Sequence, residues 1–427
     1  MSRRKITTTM LCIGIGAAIL VAPTAASALN PVTFSPVGNM TTKRDAPGAA
    51  PLPDGRILIA GGYDGTNSLN SAEIFNPSTN TFSASGVGTM NSIRYGPAVA
   101  ALPDGRVLVA GGYNNTTDVT SAEVFNPSTG TFSPVGSMAT RRELAAAAPL
   151  PDGRILVAGG VNSSANLSST EIFDPNTNTF SAGPPLPAAA FGLGGAVVSG
   201  GRVLVAGGYD NSGPGIYFSS ANVFNPPSAT FSSVGSLSIF RYAPAAASLP
   251  GGRALIAGGY DSNNYVTSAE IFDPTTNSFS SAGVGSLAGK REEAAGAALP
   301  DGRALVAGGY DGSALQSAEV LSVPSNAFTA KVKGRKVIFT VTNEGTGSVS
   351  DVSSKAASSA KKKKKKKPKL VKTTSVHGGP GTIVVKVKLT KSGSALLAQK
   401  GKLKVRVSYT PDGGLAATKK LKLRTGK

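Results

Sequence analysis

The stretch Leu52-Pro53-Asp54-Gly55-Arg56-Ile57-Leu58-Ile59-Ala60-Gly61-Gly62-Tyr63 decides the fold. It returns, little altered, at 102–113, 150–161, 198–209, 249–260 and 299–310, and its paired glycines are separated by steps of 50, 48, 48, 51 and 50 residues. Self-similarity at such a period means an array of like supersecondary units, none able to bury its apolar face alone. Within a unit the apolar residues recur at every second position, the period of a strand. In the first unit, 48–52 reads as a short strand, Pro53-Asp54-Gly55 as a hairpin turn, and 56–61 as the central strand. Residues 71–76 and 81–83 supply a third strand and a fourth. Pro presets φ in such a turn and Gly accepts φ > 0. Four short antiparallel strands per unit predict the blade of a propeller.

Phe75 and Phe82 stand seven apart, as do Phe125/Phe132, Phe173/Phe180, Phe224/Phe231 and Phe272/Phe279, with Leu321/Phe328 in the last unit. These aromatics read as core, packing one unit against the next. A hydrophobic strand ending in Gly-Gly, followed by two aromatics at fixed spacing, resembles the kelch repeat over residues 31–328. The second aromatic is usually Trp in that family and is always Phe here. Thr33-Phe34-Ser35-Pro36-Val37-Gly38 is identical to residues 131–136, a fourth strand, yet it precedes the first complete unit. The expectation is an all-β chain: a six-bladed kelch β-propeller closed by an N-terminal strand, followed by a small β-sandwich. The segment around Phe328 then leads into that second domain.

The expected domains are a signal peptide over 1–28, the propeller over 29–327 and a lysine-rich β-sandwich-like domain over 328–427. Arg3, Arg4 and Lys5 precede the mostly apolar stretch 10–23, and Ala26-Ser27-Ala28 offers small residues for cleavage near Ala28. That pattern predicts export, to the medium or the cell surface, with no transmembrane segment in the mature chain. Cys12, the single cysteine, falls inside the leader, so the mature chain forms no disulfide.

The formal net charge of +20 is unevenly spread. Residues 29–327 hold 14 Lys+Arg against 20 Asp+Glu, or −6, whereas 328–427 hold 26 against 3, or +23. In the C-terminal part, strands are expected over 337–342, 370–376, 382–390, 402–410 and 416–424, with a disordered insertion over 348–369. That insertion contains the lysine run from Lys361 to Lys367, whose self-repulsion opposes packing. Lys386, Lys388, Lys402, Lys404 and Arg406 alternate with Val and Leu, giving one basic face and one buried face. Such a module suits an anionic polymer or surface, or is simply solvated. Specific nucleic-acid recognition is not expected, because no aromatic platform or helix accompanies the lysines.

Candidate site residues lie in the loop entering each unit. Seventeen positions before each Gly-Gly stand Arg44, Arg94, Arg142, Arg241 and Arg291, with Ala190 in the fourth unit. One residue later come Asp45, Tyr95, Glu143, Phe191, Tyr242 and Glu292. An arginine ring would suit a carboxylate, sulfate or phosphate, and in some kelch domains such an arginine grips acidic ligands. The competing reading pairs each arginine with Glu73, Glu123, Glu171, Glu270 or Glu319 of its own unit, because unit four lacks both partners, having Asn222. Arg56-type residues, present in every unit, are the other possible partners of those glutamates. If the arginines pair inward, strand alternation turns the Asp/Tyr/Glu ring toward the channel. Asp64, Asn114, Asn162, Asp210, Asp261 and Asp311 read as turn formers more than calcium ligands.

Galactose oxidase, a kelch-type enzyme, needs copper ligands including His and a Cys–Tyr crosslink. The mature chain has only His377, outside the repeats, so no cofactor and no metal are expected. A Ser-His-Asp arrangement lacks its base. Two functions stay open. One is a secreted, non-catalytic protein whose channel mouth engages a glycan or a protein. The other is a carbohydrate-active enzyme, sialidase- or mutarotase-like, using Glu143, Glu292, Tyr95 or Tyr242 on an acidic sugar.

Overall fold

The computed structural model describes residues 32–322, 328–333, 336–341, 345–351, 370–378, 381–400, 402–411 and 417–424. The expected signal peptide at 1–28 and the run from Lys361 to Lys367 lie outside them. Among the described residues the chain is all-β except for one α-helix, Lys391–Lys400, and two single 3-10 turns. No helix among the described residues is long and apolar enough to cross a membrane.

Each repeat unit forms a four-stranded antiparallel sheet. In the first, Gly48–Pro51, Ile57–Ala60, Ala72–Asn76 and Thr81–Ser83 pair in chain order. Ile57–Ala60 is buried along its whole length, because sheets pack on both of its faces. Phe75 lies opposite Phe82 with ring centroids 4.9 Å apart. The sheet of the last unit takes its fourth strand from the other end of the repeats. Phe34–Pro36 pairs with Ala318–Leu321 and sets Phe34 against Leu321, the register that Phe82 has against Phe75. Phe328 instead begins Phe328–Lys333, which pairs with Lys336–Val341 in a separate sheet.

The aromatic pairs pack between units. Phe125 and Phe132 share a buried cluster with Leu58, Ala60 and Ile74 of the preceding unit. Phe75 and Phe82 share one with Leu299, Leu305 and Val320 of the sixth. Small residues let the innermost strands approach closely: Gly48–Pro51 lies against both Ala98–Ala101 and Ala295–Ala298. The Gly-Gly pair works at the same junctions. Gly61 has φ +70°, and a Cβ there would lie 2.5 Å from the Arg94 carbonyl oxygen. Gly62 donates its N–H to that same carbonyl at 2.8 Å, stitching one unit to the next.

Two sheets make up the C-terminal part. One joins Phe328–Lys333, Lys336–Val341 and Gly381–Lys386; the other joins Thr374–Gly378, Gly345–Asp351, Lys402–Pro411 and Ala417–Arg424. Val337, Phe339, Ile383 and Val385 of the first share a buried cluster with Val349, Val405, Val407 and Tyr409 of the second. Two expectations need correction. Gly345–Asp351 is a strand reaching into the stretch read as an insertion, because its alternation is carried by Gly347 and Val349 on the inner side. The helix Lys391–Lys400 has no counterpart in the reading of the sequence, since its only large apolar residues are the adjacent Leu396 and Leu397. Its one legible signal is Thr390, whose hydroxyl accepts the Gly393 N–H at 3.0 Å as an N-cap.

Candidate functional site

The five arginines point into their own units and are between 0% and 2% exposed. Arg44 Nε donates to Glu73 Oε1 at 2.8 Å, and its Nη1 donates to the carbonyls of Gly61 and Ser71. The other Glu73 oxygen accepts both the N–H and the hydroxyl of Thr41. Arg94–Glu123, Arg142–Glu171, Arg241–Glu270 and Arg291–Glu319 repeat the pair at 3.0–3.1 Å. Burial lowers the arginine pKa values from their ordinary value, and the glutamates oppose that shift. This corrects the reading of Arg44, Arg94, Arg142, Arg241 and Arg291 as ligand-binding residues, because each side chain is buried inside its own sheet and paired with that unit's glutamate. Arg56, Arg106, Arg154 and Arg303 pair instead with exposed turn aspartates, Arg56 with Asp54 at 2.7 Å. In unit four a cavity of about 30 Å³ bounded by Ala190, Gly207, Ser220 and Asn222 occupies the position of the missing arginine.

The residue after each arginine faces the other way. Asp45, Tyr95, Glu143, Phe191, Tyr242 and Glu292 each bridge the residue after a Gly-Gly: Tyr63, Tyr113, Val161, Tyr209, Tyr260 and Tyr310. The next residues, Ala46, Gly96, Leu144, Gly192, Ala243 and Glu293, all adopt φ between 47° and 62°. Backbone hydrogen bonds run Gly96→Ala46, Leu144→Gly96, Gly192→Leu144, Ala243→Gly192 and Glu293→Ala243 at 2.8–3.1 Å. This bonded neck over-determines the left-handed conformation, which costs about 1 kcal/mol or more at each non-Gly residue. A cavity of about 100 Å³, bordered by all six neck residues, lies beside it.

Glu293, which sequence reasoning missed, is the hub of the mouth. Its carboxylate accepts the Tyr95 hydroxyl at 2.5 Å and the Tyr242 hydroxyl at 2.6 Å, joining units two, five and six. The only sequence signal was an acidic residue at a position otherwise held by Ala, Gly or Leu. Asp45, 7% exposed, lies within hydrogen-bonding reach of it. Burial, then the neighbouring charges of Glu293 and Glu292, push the Asp45 carboxyl up to about 9. Burial also raises Glu143 to about 8, with Asp118 and Glu293 adding to it, and Glu292 to about 8, with Glu293 adding to it. The Tyr95 and Tyr242 phenols are held well above their ordinary value by burial and then by Glu293. Protons on several of these carboxyls therefore persist at neutral pH.

Beside this acidic group runs an aromatic arc. Phe191 meets Tyr242 at 5.4 Å and Tyr209 at 5.6 Å; Tyr209 continues to Tyr217, Tyr260, Tyr265 and Tyr310 at 4.4–5.8 Å. The arc draws on units four, five and six. Lys290 Nζ lies 5.4 Å from the Tyr265 ring centre, and Ile216, in the short strand Ile216–Tyr217 that pairs with Tyr209–Asp210, is 51% exposed. Asp64, Asn114, Asn162, Asp210 and Asp261 accept backbone N–H groups two residues on, as turn formers do. Among the described residues no group of His, Cys, Asp and Glu is arranged to hold a metal ion.

The kelch motif matches residues 47–84, 94–139, 145–187, 192–238 and 241–283. The fold is thus a kelch-type β-propeller. The chain belongs to the kelch-repeat family. No curated protein matches it by sequence at a significant level. Among solved structures it is similar to a fungal alcohol oxidase of the AA5 family in complex with copper, with a TM-score of 0.52 and 14% identity, over 92% of this chain and 100% of that one. Because 418 solved chains match, the likeness identifies an architecture and leaves the chemistry to the site. Copper does not fit here. The mouth offers carboxyls and phenols, the carboxyls tend to hold protons, and His377 belongs to the C-terminal sheets.

Proposed function

We propose that this is a secreted, non-catalytic binding protein. Its propeller mouth engages a glycan or a protein, and its basic C-terminal part holds it against an anionic cell-surface polymer. In this reading the six repeat sheets are six blades of a ring tied shut by Phe34–Pro36. The pairing of that strand with Ala318–Leu321 and the contact of the first and sixth inner strands support closure. The division at 29–327 and 328–427 follows from the charge asymmetry and from the sheet that begins at Phe328. In the C-terminal part, Lys404 lies opposite Lys422. Like charges in register cost stability unless an anion offsets them.

The observation that carries a binding role is the aromatic arc beside Phe191. It gives one side of the mouth a broad contact surface, as recognition by Tyr and Phe requires. The enzymatic alternative on an acidic sugar loses support, because the arginines that would take its carboxylate are buried against glutamates. The test is a screen of the full chain against immobilised glycans and proteins at moderate and high salt. Saturable binding that survives salt and weakens about tenfold in Phe191→Ala and Tyr209→Ala is expected. Retention lost entirely at high salt and indifferent to both substitutions would leave adhesion to the basic part alone.

A further inference from the structure

Two carboxyls of the mouth each keep a buried oxygen without a donor. Asp45 is only 7% exposed, yet its Oδ1 has no donor, and Glu143 Oε2 is likewise buried and without one. Buried acceptors of this kind are normally matched, by protein or by what binds there. Every titratable group that acts on Asp45, Glu143 and Glu292 is itself an acid: Asp45 faces Glu292 and Glu293, Glu143 faces Asp118 and Glu293, and Glu292 faces Glu293. The arginines next in sequence are spent on their own glutamates. No cation is among the groups that act on these three carboxyls.

The surroundings narrow the kind of cation. The carboxyls are not grouped to coordinate a metal ion. Phe191, Tyr242 and Tyr209 meet edge to face at 5.4–6.0 Å, so aromatic surface adjoins the acids. Rings beside carboxylates are the setting in which an ammonium group gains both cation–π and charge-assisted hydrogen bonds. A sugar hydroxyl brings no charge. A lysine side chain brings a compact ammonium with three donors on a slender apolar stem suited to an aromatic wall.

We infer that the mouth receives a lysine side chain of a partner protein, its ammonium beside Asp45, where Glu292 and Glu293 add negative charge, and its stem against Phe191 and Tyr242. The inference rests on the mouth being a binding site, and it chooses a protein over a glycan as the ligand. Entry of the ammonium favours the ionised carboxyls, so binding releases protons and tightens as pH rises from 6 to 9, a range in which lysine keeps its charge.

The test is calorimetric titration of the full chain with a capped glycine peptide containing one central lysine, and with the same peptide acetylated on that lysine. The expected result is saturable one-to-one binding of the lysine peptide, at least about tenfold weaker for the acetylated one. Affinity should increase from pH 6 to 9, with proton release seen by comparing buffers of different ionisation enthalpy. Asp45→Asn and Glu292→Gln should each weaken binding, while Asp104→Asn, in an exposed turn, should not. The chain's own lysines from Lys361 to Lys367 carry the same group, so a full-length variant with serine at these seven positions is titrated alongside. Tighter binding there means that they compete for the same mouth, which supports the assignment. Equal binding of the two peptides would overturn the inference while leaving the mouth a binding site. Absence of binding to the wild type and the serine variant at every pH would overturn it too, with the glycan and protein screen then deciding whether the mouth binds anything.

Discussion

Arg142 and Glu143 are adjacent in the chain, yet they show two opposite treatments of a buried charge. Arg142 turns into its sheet, meets Glu171 at 3.0 Å and donates to two carbonyls. Glu143 turns toward the mouth, where its neighbours are acids and its Oε2 has no donor. Five units build the inward pair in the same way, which marks it as part of the scaffold. The outward residue changes from unit to unit, Asp, Tyr, Glu, Phe, Tyr and Glu, and Tyr95 and Tyr242 reach across units to Glu293. A repeated buried pair secures five of the units; the outward ring is irregular, and Asp45 and Glu143 in it each keep an oxygen without a donor.

Breaking the inward pair should have the largest effect. Arg142→Ala leaves Glu171 buried without its cation and should cost about 3–5 kcal/mol, read as a lowered denaturant midpoint with an unchanged slope. Unit four offers the reverse experiment, since its cavity beside Ala190 and Asn222 lacks both partners. Ala190→Arg and Asn222→Glu should each destabilise alone, and together should recover about 0.5–3 kcal/mol relative to the sum of the two. Additive effects would mean that unit four no longer has the geometry for the pair.

The outward ring predicts a pH dependence of definite sign. Asp45, Glu143 and Glu292 titrate higher in the folded protein than in the unfolded chain, so the folded state binds more protons between the two sets of values. Stability from this source is fully present below about pH 4, the unfolded carboxyl value, and is lost as pH rises toward 8–9. Melting temperature should therefore fall between pH 5 and pH 9, and the slope should flatten in a variant carrying Asp45→Asn, Glu143→Gln and Glu292→Gln. A variant with the wild-type slope would place the responsible groups elsewhere. The smallest effect should come from the exposed turn pairs: Asp54 is 50% exposed beside Arg56, and Asp54→Asn should change stability by no more than about 0.5 kcal/mol.

Much of the scaffold was legible because its causes are local. The period of the Gly-Gly pairs, the Pro-Asp-Gly turns and the alternation of strands express constraints that each unit meets by itself. The joint absence of Arg and Glu in unit four left their pairing legible too, as one of two readings. Glu293 was not legible. Its neck position tolerates Ala, Gly and Leu, so nothing local distinguishes an acid there, and its hydroxyl partners are Tyr95, 198 residues away, and Tyr242. Phe191 and Tyr242 were candidates singly, but the arc from Phe191 to Tyr310 was not legible, because its rings come together from three units. The helix Lys391–Lys400 escaped because a short helix with two apolar side chains carries almost no period.

The sequence by itself therefore determined the repeat, the strand order within a unit, the aromatic core and the contrast between an acidic array and a basic C-terminal part. Tertiary structure alone decided which of two adjacent residues is scaffold and which faces the mouth, because strand parity is resolved only by what packs on each side. It also decided that six separate loops form one acidic and aromatic group. A pKa near 8 or 9 is a property of that assembly, arising from burial among like charges that the chain brings together only by folding.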